Sequence, residues 1–367
     1  MADVVLDMND RRPIWAMPPW VPERIRETLP EGWTLAVVSA ETDGAGDGAG
    51  RVAPEALDAV EDARAYLGYG IAPEILRRGR RLVWVHSGAA GVGSSLTPEM
   101  KASPVIFTNS AGVHAPPMAE TVLGMILFFG RGLDLALANQ REGRWSTEPF
   151  YREGAPMGEL SGATVGILGF GGIGREVGRR VAALGASVLA WKRRPGDREA
   201  LAPLLTPVGG GESMVDRFEI RAASEGPGAL EEVLERSDVV VVTLPDTPGT
   251  RGLLDAAALA RLKDGALLIN VARGKLVDPD ALTAELASGR LRGAGLDVFA
   301  REPLPPDDPL WRLPNVLITP HVSAVTTRFW ERETELILHN LRCLIRGAPP
   351  PPAGECWVNV VDKTAGY

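Results

Sequence analysis

The chain has 367 residues, of which 45% are hydrophobic and 23% are charged, and its formal net charge at pH 7 is −8. This length exceeds one ordinary hydrophobic core and predicts two domains, and the acidic balance argues against a nucleic-acid-binding surface. The amino terminus, MADVVLDMND, lacks the basic and apolar regions of a secretory signal. The most apolar run, Val122–Phe129, is shorter than a bilayer requires, so we expect no membrane span.

The cysteine and histidine residues show no pattern of a metal site. Cys343 and Cys356 have neither CxxC spacing nor the number needed for a disulfide framework, which is typical of a reducing compartment, and we expect a cytoplasmic protein. The histidines show no HExxH motif or paired ligand spacing. We therefore expect no metal ion.

Short apolar runs alternate with helical patterns in the first part of the chain, which predicts βαβ units and a mostly parallel sheet. The predicted strands are Leu35–Ser39, Ala65–Tyr69, Leu82–Ser87 and Val105–Asn109. The Pro- and Trp-rich stretch Arg12–Trp33 is expected to be irregular, and Glu41–Gly50 is expected to be a flexible loop. Pro116 and Pro117 then open a long predicted helix that extends from Met118 to about Gln140.

From Ala163 onward a second βαβ series begins, with the strand Thr164–Leu168, the helix Ile173–Leu184 and the strand Ser187–Trp191. The later predicted elements are the strands Asp238–Thr243, Ala266–Val271, Ala294–Val298 and Val316–Thr319 and the helix Trp330–Ile345. The connection Pro195–Gly228 is unusually long and contains a candidate strand at Phe218–Arg221. We interpret it as an insertion or a mobile loop.

The run Gly169-Phe170-Gly171-Gly172-Ile173-Gly174 matches G-x-G-x-x-G. Glycines at this spacing permit a tight turn and a close approach of the backbone to a pyrophosphate, which the amino terminus of the next helix then faces. A chance match is the alternative in a chain with 42 glycines. The position between a strand and a helix favours dinucleotide binding.

The end of the next predicted strand distinguishes the two nicotinamide cofactors. An Asp or Glu at this position would bind the ribose 2′-hydroxyl of NADH. This chain has Lys192, Arg193 and Arg194 there, and basic side chains suit the 2′-phosphate of NADPH. A solvated run of charges is the alternative. We expect NADPH as the cofactor, with NADH also accepted.

Ligands of doubly wound sheets lie outside the carboxyl ends of the strands, so the residues that follow each strand are site candidates. Arg273 follows Ala266–Val271, Glu302 follows Ala294–Val298, and His321 follows Val316–Thr319. Oxidation of a hydroxy acid needs a base, a cation for the substrate carboxylate, and a carboxylate that stabilises the imidazolium. His, Arg and Glu meet these needs in turn, although each alone is more often structural or a surface charge.

These motifs together resemble the signatures of the D-2-hydroxyacid dehydrogenase family. The similar runs are Gly169–Gly174, Asn270–Gly274, Asp297–Phe299 with Glu302-Pro303, and Thr319–His321, and the resemblance extends from about Ala65 to the end of the chain. The family implies an α/β fold of two Rossmann-like domains, one flavodoxin-like and one dinucleotide-binding, with the active site in the cleft between them. It implies a discontinuous substrate domain, residues 1–114 and 326–367, and a dinucleotide-binding domain, residues 115–325.

The resemblance also implies roles for individual residues. His321 is similar to the family's acid/base, Glu302 to its carboxylate partner, and Arg273 to the cation that binds substrate. Gly91 and Val92 lie in a run, Ala90–Gly93, that resembles the loop holding the substrate carboxylate, although an ordinary glycine turn is the alternative and Ser94 replaces an Asp of many relatives. Asp297 resembles the acid near the nicotinamide carboxamide. Further implied cofactor contacts are Leu244, Pro245, Thr250, Val271, Ala272, Arg273, His321 and Ser323.

The preferred interpretation is a homodimeric enzyme that reduces a small 2-keto acid, such as glyoxylate or hydroxypyruvate, with NADPH. The apolar helical stretch from Met118 and the side chain of Trp145 are candidates for the dimer contact, and burial of the helix within one chain is the alternative. The motifs also allow an NAD-linked dehydrogenase for a larger hydroxy acid, a dinucleotide-sensing protein similar to corepressors, or a Rossmann scaffold without catalysis. We expect no regulatory domain after Val360, an expectation that disfavours the long phosphoglycerate dehydrogenases.

Overall fold

The computed structural model describes residues 2–42, 52–155, 157–193, 214–350 and 356–366. The chain divides into two compact units, which we call the first unit (residues 1–114 and 325–367) and the second unit (residues 115–324). Most of the predicted loop Glu41–Gly50, and the part of the long connection up to residue 213, lie outside the described residues.

Helices and strands alternate along most of the described chain, as the sequence predicts, except for three consecutive helices between residues 115 and 151. The strands are β1 (Val4–Asp7), β2 (Leu35–Val37), β3 (Ala65–Gly68), β4 (Trp84–Ser87), β5 (Ile106–Asn109), β6 (Thr164–Leu168), β7 (Ser187–Lys192), β8 (Phe218–Ala222), β9 (Val239–Val242), β10 (Leu267–Asn270), β11 (Gly293–Leu296) and β12 (Val316–Ile318). The helices are α1 (Trp20–Thr28), α2 (Pro54–Ala59), α3 (Pro73–Arg78), α4 (Pro98–Ala102), α5 (Ala115–Gly130), α6 (Leu133–Arg141), α7 (Glu148–Tyr151), α8 (Gly172–Ala183), α9 (Gly228–Arg236), α10 (Ala256–Ala260), α11 (Pro279–Ala287) and α12 (Phe329–Ile345).

The first unit contains a parallel sheet of the described strands in the order β2-β1-β3-β4-β5. This is the flavodoxin-like order of a doubly wound sheet. One face packs against α1 and α12, through residues such as Ile25, Ile337 and Leu341, and the other face packs against a separate apolar cluster that includes Ile75 and Met100. Helices on both faces bury the strands, as parallel sheets require.

The second unit contains a parallel sheet of the described strands in the order β12-β11-β10-β9-β6-β7-β8. Strand β6 pairs with β7 and β9, so that Leu168 lies opposite both Trp191 and Val242. The chain therefore changes direction of winding at β6, and this switch point is where such folds bind ligands. The predicted fold class, α/β with two Rossmann-like domains, is confirmed.

In the amino-terminal region the structure adds one strand that was not predicted and shows that one expectation is wrong. Strand β1 was not predicted, yet it lies in the middle of its sheet between β2 and β3 with all four residues buried. The stretch Arg12–Trp33, expected to be irregular, contains helix α1, which buries Val21 and Ile25. Pro22 does not prevent this helix, because it lies in the first turn, where a backbone N–H has no partner within the helix.

The helix predicted from Met118 to Gln140 is two helices, α5 and α6, whose axes differ by 70°. Gly132 precedes α6 with a φ of 64°, a left-handed conformation that residues with a side chain rarely adopt. No single helix among the described residues is long and apolar enough to cross a membrane, and only α5 and α6 taken together meet a test of length and composition.

Cys343 and Cys356 form a disulfide bond, with Cα atoms 5.8 Å apart. The number and spacing of the cysteines were interpreted as typical of a reducing compartment, and the disulfide removes this support for that interpretation. Cys343 lies on the buried side of α12, and the chain after residue 355 returns to it. A disulfide is geometrically allowed only when the two Cα atoms lie within about 7 Å of each other. The spacing of two cysteines along the sequence does not show this distance.

A buried polar network connects α12 to the sheet of the first unit. The Nε2 atom of His86 on β4 lies 2.7 Å from a carboxylate oxygen of Glu333 on α12, and its Nδ1 atom lies 2.8 Å from the hydroxyl of Thr108 on β5. The side chains of His86 and Glu333 have no exposed surface. Buried polar groups are costly unless paired, so this network specifies where α12 packs.

We predict that Glu333→Ala lowers the free energy of unfolding of the first unit by about 1–3 kcal/mol, because the buried imidazole of His86 loses its carboxylate partner. The matched control is Glu335→Ala, two residues further along α12, where the lost ion pair with Arg24 is exposed. This change should cost less than about 1 kcal/mol. Urea unfolding followed by tryptophan fluorescence measures both, and equal losses of stability would contradict the prediction.

Candidate active site

The glycine run forms the turn between β6 and α8. Gly169 has a φ of 96°, and a β-carbon there would lie 2.9 Å from the backbone nitrogen of Leu244. A β-carbon at Gly174 would lie 2.1 Å from the carbonyl oxygen of Gly169, whereas one at Gly171 would have no atom within 4 Å. Gly169 and Gly174 are thus required by packing, and Gly171 leaves open space at the amino terminus of α8. This geometry fits the pyrophosphate of a dinucleotide.

Thr243, which directly follows β9, supports this turn from the neighbouring strand. Its hydroxyl donates a hydrogen bond of 2.6 Å to the carbonyl oxygen of Gly169. No sequence motif identified Thr243 as a supporting residue. Its position at the carboxyl end of a strand was the available signal, but the partner carbonyl is visible only in the structure.

The end of β7 carries the basic residues predicted to distinguish the cofactors. Lys192 is half-buried and Arg193 is exposed, whereas Arg194 lies outside the described residues. On the adjacent strand β8, the guanidinium of Arg221 binds Glu219 and Glu232. Hydrogen bonds from Arg221 and Arg236 lower the pKa of Glu232 to about 2. The positive charge of Arg221 is therefore offset by carboxylates of its own surroundings.

The residues after β9 and β10 include several predicted cofactor contacts. Leu244 is buried, and the hydroxyl of Thr250 donates a hydrogen bond of 2.6 Å to the carbonyl oxygen of Pro245. Val271 and Ala272 are buried at the end of β10. The buried side chains and the hydrogen bond from Thr250 therefore hold the loops after β9 and β10 in place.

Arg273 lies in the loop after β10, beyond the carboxyl end of that strand. It is half-buried, and its Nη1 atom donates a hydrogen bond of 2.8 Å to the carbonyl oxygen of Ala272. The next residue, Gly274, packs so tightly that a β-carbon would lie 1.9 Å from the carbonyl carbon of Phe299. Gly274 thus allows the loop of Arg273 to contact the loop that leads to Glu302.

Glu302 and His321 are in direct contact, as their expected partnership requires. The Nδ1 atom of His321 lies 2.8 Å from one carboxylate oxygen of Glu302, and the backbone N–H of Phe299 donates to the other oxygen at 2.9 Å. The side chains of His321 and Glu302 are 46% and 36% exposed, respectively. Glu302 is therefore held by its own loop, and it orients an imidazole that remains accessible.

The loop that carries His321 is held by a buried carboxylate, that of Asp297. One oxygen of Asp297 accepts hydrogen bonds from the hydroxyl of Thr319 at 2.6 Å and the N–H of Val322 at 2.8 Å. The other oxygen accepts from the N–H of Ser323 at 3.0 Å. His321 itself has a φ of 55°, which is uncommon for a residue with a side chain. The part played by Thr319 was not predicted from the sequence.

The predicted substrate loop lies in the first unit, directly after β4. Gly91 is half-buried and Val92 is buried. The side-chain amide of Asn109, at the end of β5, donates a hydrogen bond of 2.8 Å to the carbonyl oxygen of Ala90. The structure thus brings Arg273, Glu302, His321 and the glycine turn to one edge of the second unit, and places Gly91 and Val92 in the other unit.

The chain is similar in sequence to proteins of one known family. The family model described as "D-isomer specific 2-hydroxyacid dehydrogenase, NAD binding domain" matches residues 123–323. A glyoxylate reductase of Thermofilum pendens is 33% identical over 69% of this chain and 69% of its own length. The chain belongs to the D-isomer specific 2-hydroxyacid dehydrogenase family. The resemblance predicted from the motifs is therefore confirmed, and the second unit contains the family's nicotinamide-dinucleotide-binding domain.

Two further relatives show how far the similarity extends. A D-3-phosphoglycerate dehydrogenase of Mycobacterium tuberculosis is 32% identical over 79% of this chain, and the chain spans about half (50%) of the length of that relative. A family member from Xanthobacter autotrophicus Py2, solved in complex with NADPH and MES, is 30% identical. That structure superposes with a TM-score of 0.75 and covers 100% of this chain and 99% of its own.

We predict that Asp297→Asn loosens the loop of His321. An amide has one acceptor oxygen where the carboxylate has two, so at least one buried donor loses its partner, at a cost of about 1–3 kcal/mol. Hydrogen exchange at residues 322 and 323 should become faster. The control, Asp255→Asn, makes the same chemical change at the exposed amino-terminal cap of α10, where Asn caps as well as Asp does. Unchanged exchange in the Asp297 variant would contradict the prediction.

Proposed function

We propose that the protein is an NAD(P)-dependent 2-hydroxyacid dehydrogenase that reduces small 2-keto acids, of the glyoxylate or hydroxypyruvate class, with NADPH. The observation that carries this proposal is the 2.8 Å contact between His321 and Glu302, at the sheet edge that also carries the glycine turn and Arg273. A purely structural Rossmann scaffold would have no need of an accessible imidazole oriented by a carboxylate.

The chain's own residues divide the work of the reaction. When bound, the dinucleotide supplies the hydride that adds to the keto carbon. His321 binds Glu302 through Nδ1, so Nε2 is the ring atom that gives a proton to the ketone oxygen. Arg273 has the planar guanidinium needed to bind a carboxylate and a carbonyl oxygen together. The backbone N–H groups of Gly91 and Val92 are the proposed further donors to the substrate carboxylate.

The relatives support the substrate class without restricting it to one acid. The Thermofilum pendens relative is named a glyoxylate reductase, and the Mycobacterium tuberculosis relative acts on a larger, phosphorylated hydroxy acid by its name. The second candidate function is a dinucleotide-sensing protein, which would bind the cofactor but would not turn over a keto acid. A turnover assay with several 2-keto acids distinguishes the enzyme from the sensor.

The direct test is turnover of a panel of 2-keto acids with NADPH and with NADH, followed by absorbance. We predict that His321→Asn lowers kcat by roughly 100-fold or more, the usual effect of losing a general acid. The dissociation constant for NADPH serves as the control and should change far less than kcat, because His321 is only one of many implied cofactor contacts and the glycine turn is intact. Near-normal turnover by this variant would exclude His321 as the acid, and cofactor binding with no turnover by the unmodified protein would favour the dinucleotide sensor.

We also propose a preference for NADPH over NADH. The support is the basic run that starts at Lys192 and Arg193 at the end of β7, where an acid would repel the 2′-phosphate. Charge-assisted hydrogen bonds of about 1.5–3 kcal/mol would give a preference of about tenfold or more. Solvent exposure of Arg193 reduces this figure.

The corresponding prediction is that replacing Arg193 and Arg194 together by Ala lowers kcat/KM for NADPH about tenfold or more and leaves the value for NADH almost unchanged. The matched control is Arg236→Ala, which removes one positive charge already bound by Glu219 and Glu232. It should leave the ratio of the two cofactors unaltered. Equal efficiencies with both cofactors in the unmodified protein would refute the preference.

We further propose that the protein is a homodimer. The support is a group of large apolar side chains on and after α6 that are exposed in the single chain, with Trp145 at 98% and Leu133 at 50%. A self-complementary contact between two copies would cover them. The occupant we propose is thus a second copy of this chain.

The prediction is a dimer by analytical ultracentrifugation at micromolar concentration, and a shift toward monomer in Trp145→Ser. The control is Trp311→Ser, which changes another exposed tryptophan in the short 3-10 helix Pro309–Arg312 and should leave the dimer intact. A monomer in the unmodified protein, or the same effect of both changes, would rule out this interface.

A further inference from the structure

The carboxyl-terminal residues 356–366, which we call the strap, return to the sheet of the first unit. The disulfide between Cys356 and Cys343 fastens the strap to α12. The side chain of Asn340 on α12 adds two hydrogen bonds. Its amide nitrogen donates to the carbonyl oxygen of Val358 at 3.1 Å, and its oxygen accepts from the N–H of Val358 at 2.9 Å. The beginning of the strap therefore has a defined position on the core.

Asn359 connects the strap to the carboxyl end of β5. Its side-chain amide donates to the carbonyl oxygens of Asn109 at 3.2 Å and Ala111 at 2.7 Å, and its own carbonyl oxygen accepts from the N–H of Asn109 at 3.1 Å. Asn359 has a φ of 58°. Asn adopts this left-handed conformation more readily than most residues do, so both its backbone and its side chain suit the position.

Asn109 in turn binds the loop that follows β4. Its side-chain amide donates to the carbonyl oxygen of Ala90 at 2.8 Å. The side-chain oxygen of Asn109 accepts from the N–H of Ala111 at 3.3 Å, which orients the amide. A continuous chain of hydrogen bonds thus leads from Asn359 through Asn109 to Ala90.

The planar geometry of the peptide bond links the hydrogen bond at Ala90 to the direction of the N–H group of Gly91. The carbonyl group of Ala90 and the N–H group of Gly91 belong to the same planar peptide unit. In a trans peptide these two groups point in opposite directions. A hydrogen bond that holds the carbonyl oxygen of Ala90 toward Asn109 therefore aims the N–H of Gly91 away from it.

We propose that Asn359 and Asn109 are positioning residues, which aim the N–H of Gly91 for the carboxylate of a 2-keto acid. The inference rests on the proposed function, in which this loop binds the substrate. Neither asparagine needs to touch the substrate. Preorganised donors bind an anion without the cost of ordering the loop, so loss of the chain of contacts weakens substrate binding more than the chemical step.

The strap itself contains a matched control. Lys363 donates two hydrogen bonds from its Nζ atom, at 2.7 Å to the carbonyl oxygen of Ser103 and at 2.6 Å to that of Val105. These carbonyls precede β5, at the opposite end of the strand from Asn109. Lys363→Met and Asn359→Gly each remove two hydrogen bonds between the strap and the region of β5, but only Asn359→Gly affects the contact to the loop.

The test measures hydrogen exchange and kinetics for Asn359→Gly, Asn109→Ala and Lys363→Met in the full chain. Glycine at 359 preserves the left-handed backbone, so the first variant removes only the side-chain donors. We expect both asparagine variants to speed exchange at residues 90–93 and to raise KM for the 2-keto acid about tenfold, the value of roughly one hydrogen bond. The kcat and the NADPH dissociation constant should stay within about twofold, because the catalytic groups are unchanged.

The control variant should show neither effect, although its stability falls. Unchanged exchange at residues 90–93 in Asn359→Gly, or an equal increase in Lys363→Met, overturns the inference. Faster exchange with an unchanged KM also overturns it, while leaving the keto-acid activity intact. If the unmodified protein reduces no 2-keto acid, that result refutes the proposed function. The proposal that Gly91 is aimed at this substrate is then refuted as well.

Discussion

The carboxylate of Asp297 is fully buried, and its two oxygens bind the segment from Thr319 to Ser323. This interaction determines the position of His321, whose left-handed backbone would otherwise cost about 1–3 kcal/mol without compensation. The contact between His321 and Glu302 depends on it in turn. A charged group without exposed surface is tolerated only when hydrogen bonds satisfy it, and here the backbone of the active-site loop supplies them.

The parallel sheet provides the framework on which this anchoring acts. All pairs of the described strands in the second unit are parallel, so Gly169, Arg273, Asp297 and His321 leave the sheet at the same edge. Each of these residues follows a strand whose pairing fixes its register. The candidate site is thus assembled from the ends of rigid elements, while the loops themselves need only short-range hydrogen bonds to hold the functional groups.

Sequence patterns predicted the strands of the second unit well, because strands such as β9 are continuous apolar runs bounded by clear breaks. Strand β1 was missed because only three apolar residues lie between Asp3 and Asp7. The break at Gly132 was missed because the residue types Gly130 and Gly132 do not by themselves reveal which glycine has a positive φ. The disulfide was missed because it depends on where the chain returns after α12.

The candidate site divides in the same way. The sequence predicted that Glu302 and His321 lie close together, because each follows one of two adjacent parallel strands, β11 and β12. The carboxyl ends of such strands lie at the same edge of the sheet. Thr243, Gly274 and Asn109 were not predicted as supporting residues. These residues contact backbone atoms of other loops. Every residue has such atoms, so the residue types in those loops do not show which of them are contacted. Arg194 lies outside the described residues, so its proposed contact with the 2′-phosphate stays a prediction.

The discontinuity of the first unit has a consequence for synthesis on the ribosome. Leu6, Leu67 and Ile106 share an apolar cluster with residues of α12, which is made only after residues 115–324. At about 5–20 residues per second, that interval lasts on the order of 10–40 s. The second unit is continuous, and its core is complete once Ala324 has emerged. Until α12 is made, α1 is the only described helix available for that face of the first sheet, which therefore stays partly uncovered. The second unit is the part of the chain that is able to fold first.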